Sequence, residues 1–177
     1  LDGVCLGFSD LAGSMGLPGQ QGHKRVVAVG EDVIRRTRQT DKWMGLSMGW
    51  DPVAVPVWIE RGVQWISIGG DFNSPSHLDW TEAMLHRNRG LIVRWPVSEA
   101  MAKAGFTDSY RAVHTDPNQH CGRTWSPRSS ASWQDRIDYI YYQGDGLSCS
   151  SAEVLEHFEP QWPSDHAAVL ATLTIHR

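Results

Sequence analysis

A layered α/β or α+β domain is the fold class the sequence predicts, and three observations predict it. An alternating, β-branched run, Val63-Gln64-Trp65-Ile66-Ser67-Ile68, ends at Gly69-Gly70 and reads as a strand. Segments with helical apolar spacing flank it on both sides. Two further strand-like runs, Ile137 to Tyr142 and Ala167 to Ile175, are rich in β-branched and aromatic residues or mix Ala, Val, Leu and Thr. Strands interleaved with helices and followed by late strands give layered folds of this kind. At 177 residues, 41% of them hydrophobic, the chain can bury one sizeable core and reads as a single domain over 1–177.

Taken in order, residues 1 to 24 carry Gly, Ser and Leu around Pro18-Gly19, a composition of turns and loops. From Val26 to Trp43, the positions Val26, Val29, Val33 and Ile34 fall on one helical face, although Gly30 weakens that helix. A Gly- and Pro-interrupted linker reaches Pro56 and leads into the strand at 63–68. Ser76 or Asp79 can cap a helix to about Arg87, with Asn88 and Gly90 as stop signals. A second helix is expected from Pro96 through Val97, Met101 and Ala104 to Gly105, because proline is favoured in a first turn and glycine just past the end. No internal repeat is visible.

Composition excludes several classes. No apolar run approaches the ~20 residues a membrane-spanning helix needs. Sixteen Lys and Arg against twenty Asp and Glu give a formal charge of -4, so no global positive field draws in nucleic acid, though a local basic groove is compatible with that balance. Cys5, Cys121 and Cys149 form no C-x-x-C pair, so neither a disulfide scaffold nor a zinc ribbon is indicated. The opening Leu1-Asp2-Gly3 has no basic or apolar leader character and is expected to be a processed or truncated start.

Three segments can carry chemistry. In Gly69-Gly70-Asp71-Phe72-Asn73, a carboxylate and an amide two apart follow a buried-looking strand, where the glycines allow close approach of a ligand; a Gly-Asp turn with an Asn cap is the plainer reading. Asp71, Asn73, Asp79 and Glu82 also stand at calcium-loop positions, but Pro75, and Ser76 where glycine is required, argue against that. In Asp135-Arg136-Ile137-Asp138-Tyr139, Asp138 sits inside a strand and needs a cation or imidazole opposite, since burying it unpaired is costly. An ordinary ion pair with Arg136 or another arginine would also satisfy it. In Trp162-Pro163-Ser164-Asp165-His166, adjacent acid and imidazole point in different directions, so the histidine can turn to a remote carboxylate while the aspartate faces a metal or phosphate; a simple cap is the alternative.

Together, in this order, the motifs Gly-Gly-Asp-Phe-Asn, Arg-Ile-Asp-Tyr-Ile and Pro-Ser-Asp-His-Ala-Ala-Val resemble the C-terminal half of the endonuclease/exonuclease/phosphatase superfamily, which includes DNase I-like nucleases and neutral sphingomyelinases. Ser74 to Trp80 and Thr124-Trp125-Ser126-Pro127 add to the resemblance, which spans residues 63–175; residues 1–60 do not show it. The resemblance implies a four-layer sandwich of two mixed sheets flanked by helices, lacking part of its N-terminal half. It also implies a metal-dependent phosphoesterase in which activated water hydrolyses a phosphodiester or phosphomonoester. The metal would be Mg2+, with Mn2+ an alternative. Carried over by position, Asp71 orients or deprotonates water, Asn73 holds a phosphoryl oxygen, Asp165 helps bind metal, and His166 contacts the phosphate with Asp138 orienting it. The substrate would be a phosphate ester: nucleic acid, nucleotide, inositol phosphate or phospholipid headgroup. The family's Gln-Glu pair, whose Glu is the principal metal ligand, is absent, as is its metal-binding histidine in a Thr-His-Leu context, so neither role is carried onto Glu31 or Glu60.

Rival readings follow from other residues. A degenerate or truncated member could bind without turnover, with tryptophans such as Trp125, Trp133 and Trp162 stacking on a ligand. Gly45-Leu46-Ser47-Met48-Gly49 matches the nucleophile elbow of serine hydrolases, but Trp50-Asp51-Pro52 blocks the helix that must follow Ser47. The stretch His114 to Cys121 offers zinc-type ligands without firm spacing and reads better as a polar loop.

Overall fold

The computed structural model describes residues 3–48, 51, 53–128 and 134–176. Trp133, and parts of the serine-elbow segment (Gly49, Trp50 and Pro52), lie outside the described residues. The chain divides into two compact units: residues 1–68, 143–147 and 177 in one, 69–142 and 148–176 in the other.

In the first unit, strands β1 (Gly3–Gly7), β2 (Trp43–Ser47) and β3 (Trp65–Asp71, through Ile68) pair in parallel in the order β1-β2-β3. Leu46 of β2 and Ile66 of β3 are buried and registered against one another. Helix α1 (Phe8–Ser14) and helix α2 (Lys24–Thr37) follow β1, and α3 (Ala54–Glu60) follows β2. The helix expected over 26–43 is therefore shorter at its end and yields to a strand. The loop composition of 1–24 and the linker before Pro56 conceal β1, α1 and α3. Gly30 does not weaken α2 idly, because a Cβ there would run into the Phe8 ring, which packs on Trp58. At Gly45 a Cβ would collide with the Trp65 indole.

In the second unit, the end of β3 lies beside β5 (Asp138–Gln143, through Tyr142), which pairs antiparallel with the short β4 (Thr107–Asp108). The mixed sheet thus runs β1-β2-β3-β5-β4, and β6 (Leu147–Leu155, from Ser148) with β7 (Ala168–Ile175) makes a two-stranded sheet. Two sheets flanked by helices accord with the α+β sandwich expected from the sequence. Helix α4 (Pro96–Lys103) starts at its proline as anticipated. Helix α5 (Ser109–Val113) is capped by the Asp108 carboxylate, which accepts from the Tyr110 and Arg111 amides.

The helix expected between Ser76 and Arg87 is not formed; only a 3-10 turn, Glu82–Met84, appears. Bonds of i to i+3 type dominate there, such as Asp79 N–H to Ser76 O, Met84 N–H to Thr81 O and Arg87 N–H to Met84 O. The would-be cap is committed elsewhere: Asp79 pairs with Arg111 at 2.5 Å and with Arg136 at 2.9 Å. Arg136 also pairs with Asp108 at 2.7 Å and lies over the Tyr139 ring. That buried network removes Asp79 from any calcium loop with Asp71. Among the described residues no helix is long and apolar enough to cross a membrane.

Candidate active site

The site grows from the end of β3. Ile66 and Ile68 are buried in the strand, and the exposed Gly69, Gly70 and Asp71 continue it outward. Gly70 has φ 142°, a conformation that suits glycine, and Asn73 has φ 48°, the left-handed region that asparagine tolerates. The turn closes when the Asn73 amide donates to Asp71 Oδ1 at 2.7 Å. The plainer reading of this pentapeptide as a turn therefore holds: one oxygen of Asp71 builds it, while Oδ2 is turned towards His166. Phe72 anchors the turn: its N–H donates to Ile137 O at 2.9 Å, and its ring meets Tyr139 and Tyr141 edge-on. The Tyr139 hydroxyl reaches the carbonyls of Ser74 and Arg136, tying the next turn to β5.

Asp138 opens β5, and its Oδ2 lies 2.9 Å from His166 Nδ1. The carboxylate expected to need a partner thus takes the imidazole. Arg136 is not that partner, being held by Asp79 and Asp108. His166 sits just before β7, with its N–H donating to Ser164 Oγ and its carbonyl accepting from Trp162 Nε1 at 2.7 Å. Its Nε2 stands 4.0 Å from Asp71 Oδ2, too far for a direct hydrogen bond but close enough to share one ligand atom. The hydrogen bond to Asp138 holds the imidazole above its ordinary pKa; burial opposes this, and the charges of Asp138, Asp71 and Asp165 add to it.

Asp71, Asp138 and His166 each offer a ligand atom, all within 4.8 Å of one another. Among the described residues this is the one group of three or more such side chains, and none of His114 to Cys121 belongs to it. His114 instead bonds through Nε2 to Ala152 O at 2.8 Å, with its ring against Tyr110 and His120. Asn73 sits in the same turn as Asp71, and Asp165 precedes His166, exposed, with its carbonyl accepting from Ser126 Oγ at 2.5 Å. The sequence reading gave no role to Thr124, whose buried hydroxyl accepts from the Ile137 and Asp138 amides. A buried threonine in irregular chain carries no periodic signal. Trp125 next to it is 45% exposed, and its ring centroid lies 4.7 Å from that of His166.

The serine alternative fares differently. A strand, β2, does precede Ser47, but α3 begins only at Ala54, whereas a nucleophile elbow turns directly into its helix.

The three ordered motifs thus bring two carboxylates and an imidazole into one group at a strand end. Residues 20–166 match the endonuclease/exonuclease/phosphatase family, and the chain belongs to that family. The match begins well inside the first sixty residues, where the motifs alone gave no sign of it. An uncharacterized protein of Caenorhabditis elegans is 33% identical over 127 residues, 62% of this chain and 40% of its own length. A pyruvate aldolase of Rhizobium etli is 50% identical over 46 residues, 26% of this chain and 18% of its own length. A hydroxypyruvate/pyruvate aldolase of Pseudomonas aeruginosa is 35% identical over 71 residues, 40% of this chain and 26% of its own length. The chain thus matches less than half the length of each of these relatives.

Proposed function

We propose that the chain hydrolyses a phosphate ester by metal-assisted attack of water at the Asp71, Asp138 and His166 group. The observation that carries the reading is the convergence of these side chains, 67 and 95 positions from Asp71 in sequence, within 4.8 Å. In this reading His166, whose charged form the Asp138 carboxylate favours, donates from Nε2 to a phosphoryl oxygen and offsets its charge. Asp71 orients the attacking water through Oδ2, and the Asn73 amide donates to a second phosphoryl oxygen.

The donor chemistry suits a hard divalent ion in part. Asp71 Oδ2 is not consumed by the turn and Asp165 is exposed, whereas His166 Nδ1 and Asp138 are taken up with each other. Asp165 and Asp71 would therefore hold Mg2+ or Mn2+, which when bound supplies charge stabilisation to the phosphoryl group. The aldolase matches, of 46 and 71 residues, are shorter than the 96 residues from Asp71 to His166, and aldol chemistry is not carried to this chain.

The test is a panel of phosphate esters (oligonucleotides, nucleotides, inositol phosphates and phospholipid headgroups) assayed with magnesium, with manganese and with chelator. Metal-restored hydrolysis is expected, with Asp71→Asn and His166→Ala each lowering kcat by orders of magnitude in a folded protein. Ligand binding without turnover would instead establish a non-catalytic binding module. Hydrolysis that survives either substitution in metal-free buffer would overturn the reading.

A further inference from the structure

We propose that Thr124 is a positioning residue that holds Asp138 and His166 in register with each other. The proposal rests on the reading of that pair as part of the active site. Thr124 is wholly buried, and four of its hydrogen bonds join the two chain segments that carry the pair. Its Oγ1 accepts from the Ile137 amide at 3.0 Å and from the Asp138 amide at 3.1 Å, fixing the backbone where the Asp138 side chain departs. Its carbonyl accepts from the Ala167 amide at 2.9 Å, one residue past His166. Its own N–H donates to Asp135 O at 3.2 Å, and Trp125 forms β-bridges to both Asp135 and His166.

A hydroxyl has two acceptor lone pairs, and here both are turned on consecutive amides at the start of β5. No apolar residue of the same shape can do this. Valine at 124 would leave two half-buried N–H groups without their acceptor, and the chain would shift to find one. Such a shift acts on Asp138 first, because its amide and its carboxylate share one Cα. The Asp138 Oδ2 to His166 Nδ1 distance of 2.9 Å leaves little slack, since hydrogen bonds weaken steeply with misalignment.

The experiment follows the hydrogen-bonded imidazole Nδ1 proton of His166 by NMR at low temperature, assigned by its loss in His166→Ala. Thr124→Val should remove or shift that resonance upfield, and Thr124→Ser, which keeps the hydroxyl, should retain it. Where turnover is present, Thr124→Val should lower kcat more than tenfold with KM within twofold, and should add nothing to Asp138→Asn. Should Thr124→Val not fold, amide exchange in the unaltered protein decides: Ile137 and Asp138 are expected to be protected, and exchange at loop rates would overturn the proposal. An unchanged His166 resonance in folded Thr124→Val would overturn it too. Because the resonance reports the pair directly, absence of esterase activity would count against the proposed function and leave this inference standing.

Discussion

His166 is the residue at which local chemistry is most exposed to test. Its imidazole gains an ionised partner on folding, so its folded pKa lies above the ordinary ~6.5. The sign of the linkage follows: the contribution to stability is fully present below the unfolded pKa and is lost as pH rises through the folded value. An NMR titration should therefore show a higher midpoint in the unaltered protein than in Asp138→Asn. Identical midpoints would remove the pairing. Asp138 was legible in the sequence because a carboxylate inside a strand demands a counterpart, and ordered motifs pointed to His166. An ion pair with Arg136 was the alternative left open, and only the fold reveals that arginine's commitment to Asp79 and Asp108.

At the scale of elements, the Asp79, Arg111, Arg136 and Asp108 network replaces a helix with an anchored turn. Arg136 and Asp108 are buried, and Asp108 both caps α5 and binds Arg136 with two hydrogen bonds. Arg136→Ala should destabilise the fold by about 3–5 kcal/mol, because the buried Asp108 would be left without its cation and Asp79 with Arg111 alone. Arg136→Met, which restores much of the buried volume, should recover little of it. Urea unfolding measures both, and a loss below ~1 kcal/mol for Arg136→Ala would show the network to be dispensable. Periodic elements such as α2, α4, β5 and β7 were readable from apolar spacing. The turn at 76–87 was not, since Asp79 looks like a cap until its arginine partners, 32 and 57 positions away, are in place. Strand β6 escaped notice because its Ser-rich sequence lacks alternation; pairing with β7 and a bond from His114 to Ala152 O define it instead.

For the molecule as a whole, the two sheets are unequally supported. Strand β5 has a neighbour on each side, whereas β7 has one among the described strands. Leu170 of β7 is 53% exposed, and the strand carries neither charge nor proline. Short two-stranded sheets are marginal on their own, and uncharged edges are templates for further pairing. Amide exchange followed by mass spectrometry should therefore be faster along β7 than along β5, and Leu170→Lys should reduce self-association at high concentration. Equal protection of the two strands would refute the difference in support.

The packing of Trp65 over Gly45 gives the serine-hydrolase resemblance a mundane origin. One of the two glycines that imitate a nucleophile elbow is required by an indole ring, which leaves no room for a methyl group. The two positions should accordingly be epistatic. Gly45→Ala alone is expected to cost about 1–3 kcal/mol through overpacking, yet in a Trp65→Ala background the same change should be close to neutral. A protein library randomised at position 45 would then be purged to glycine beside tryptophan and tolerant beside a small residue, a signature of steric exclusion that a nucleophilic serine two residues on would not produce.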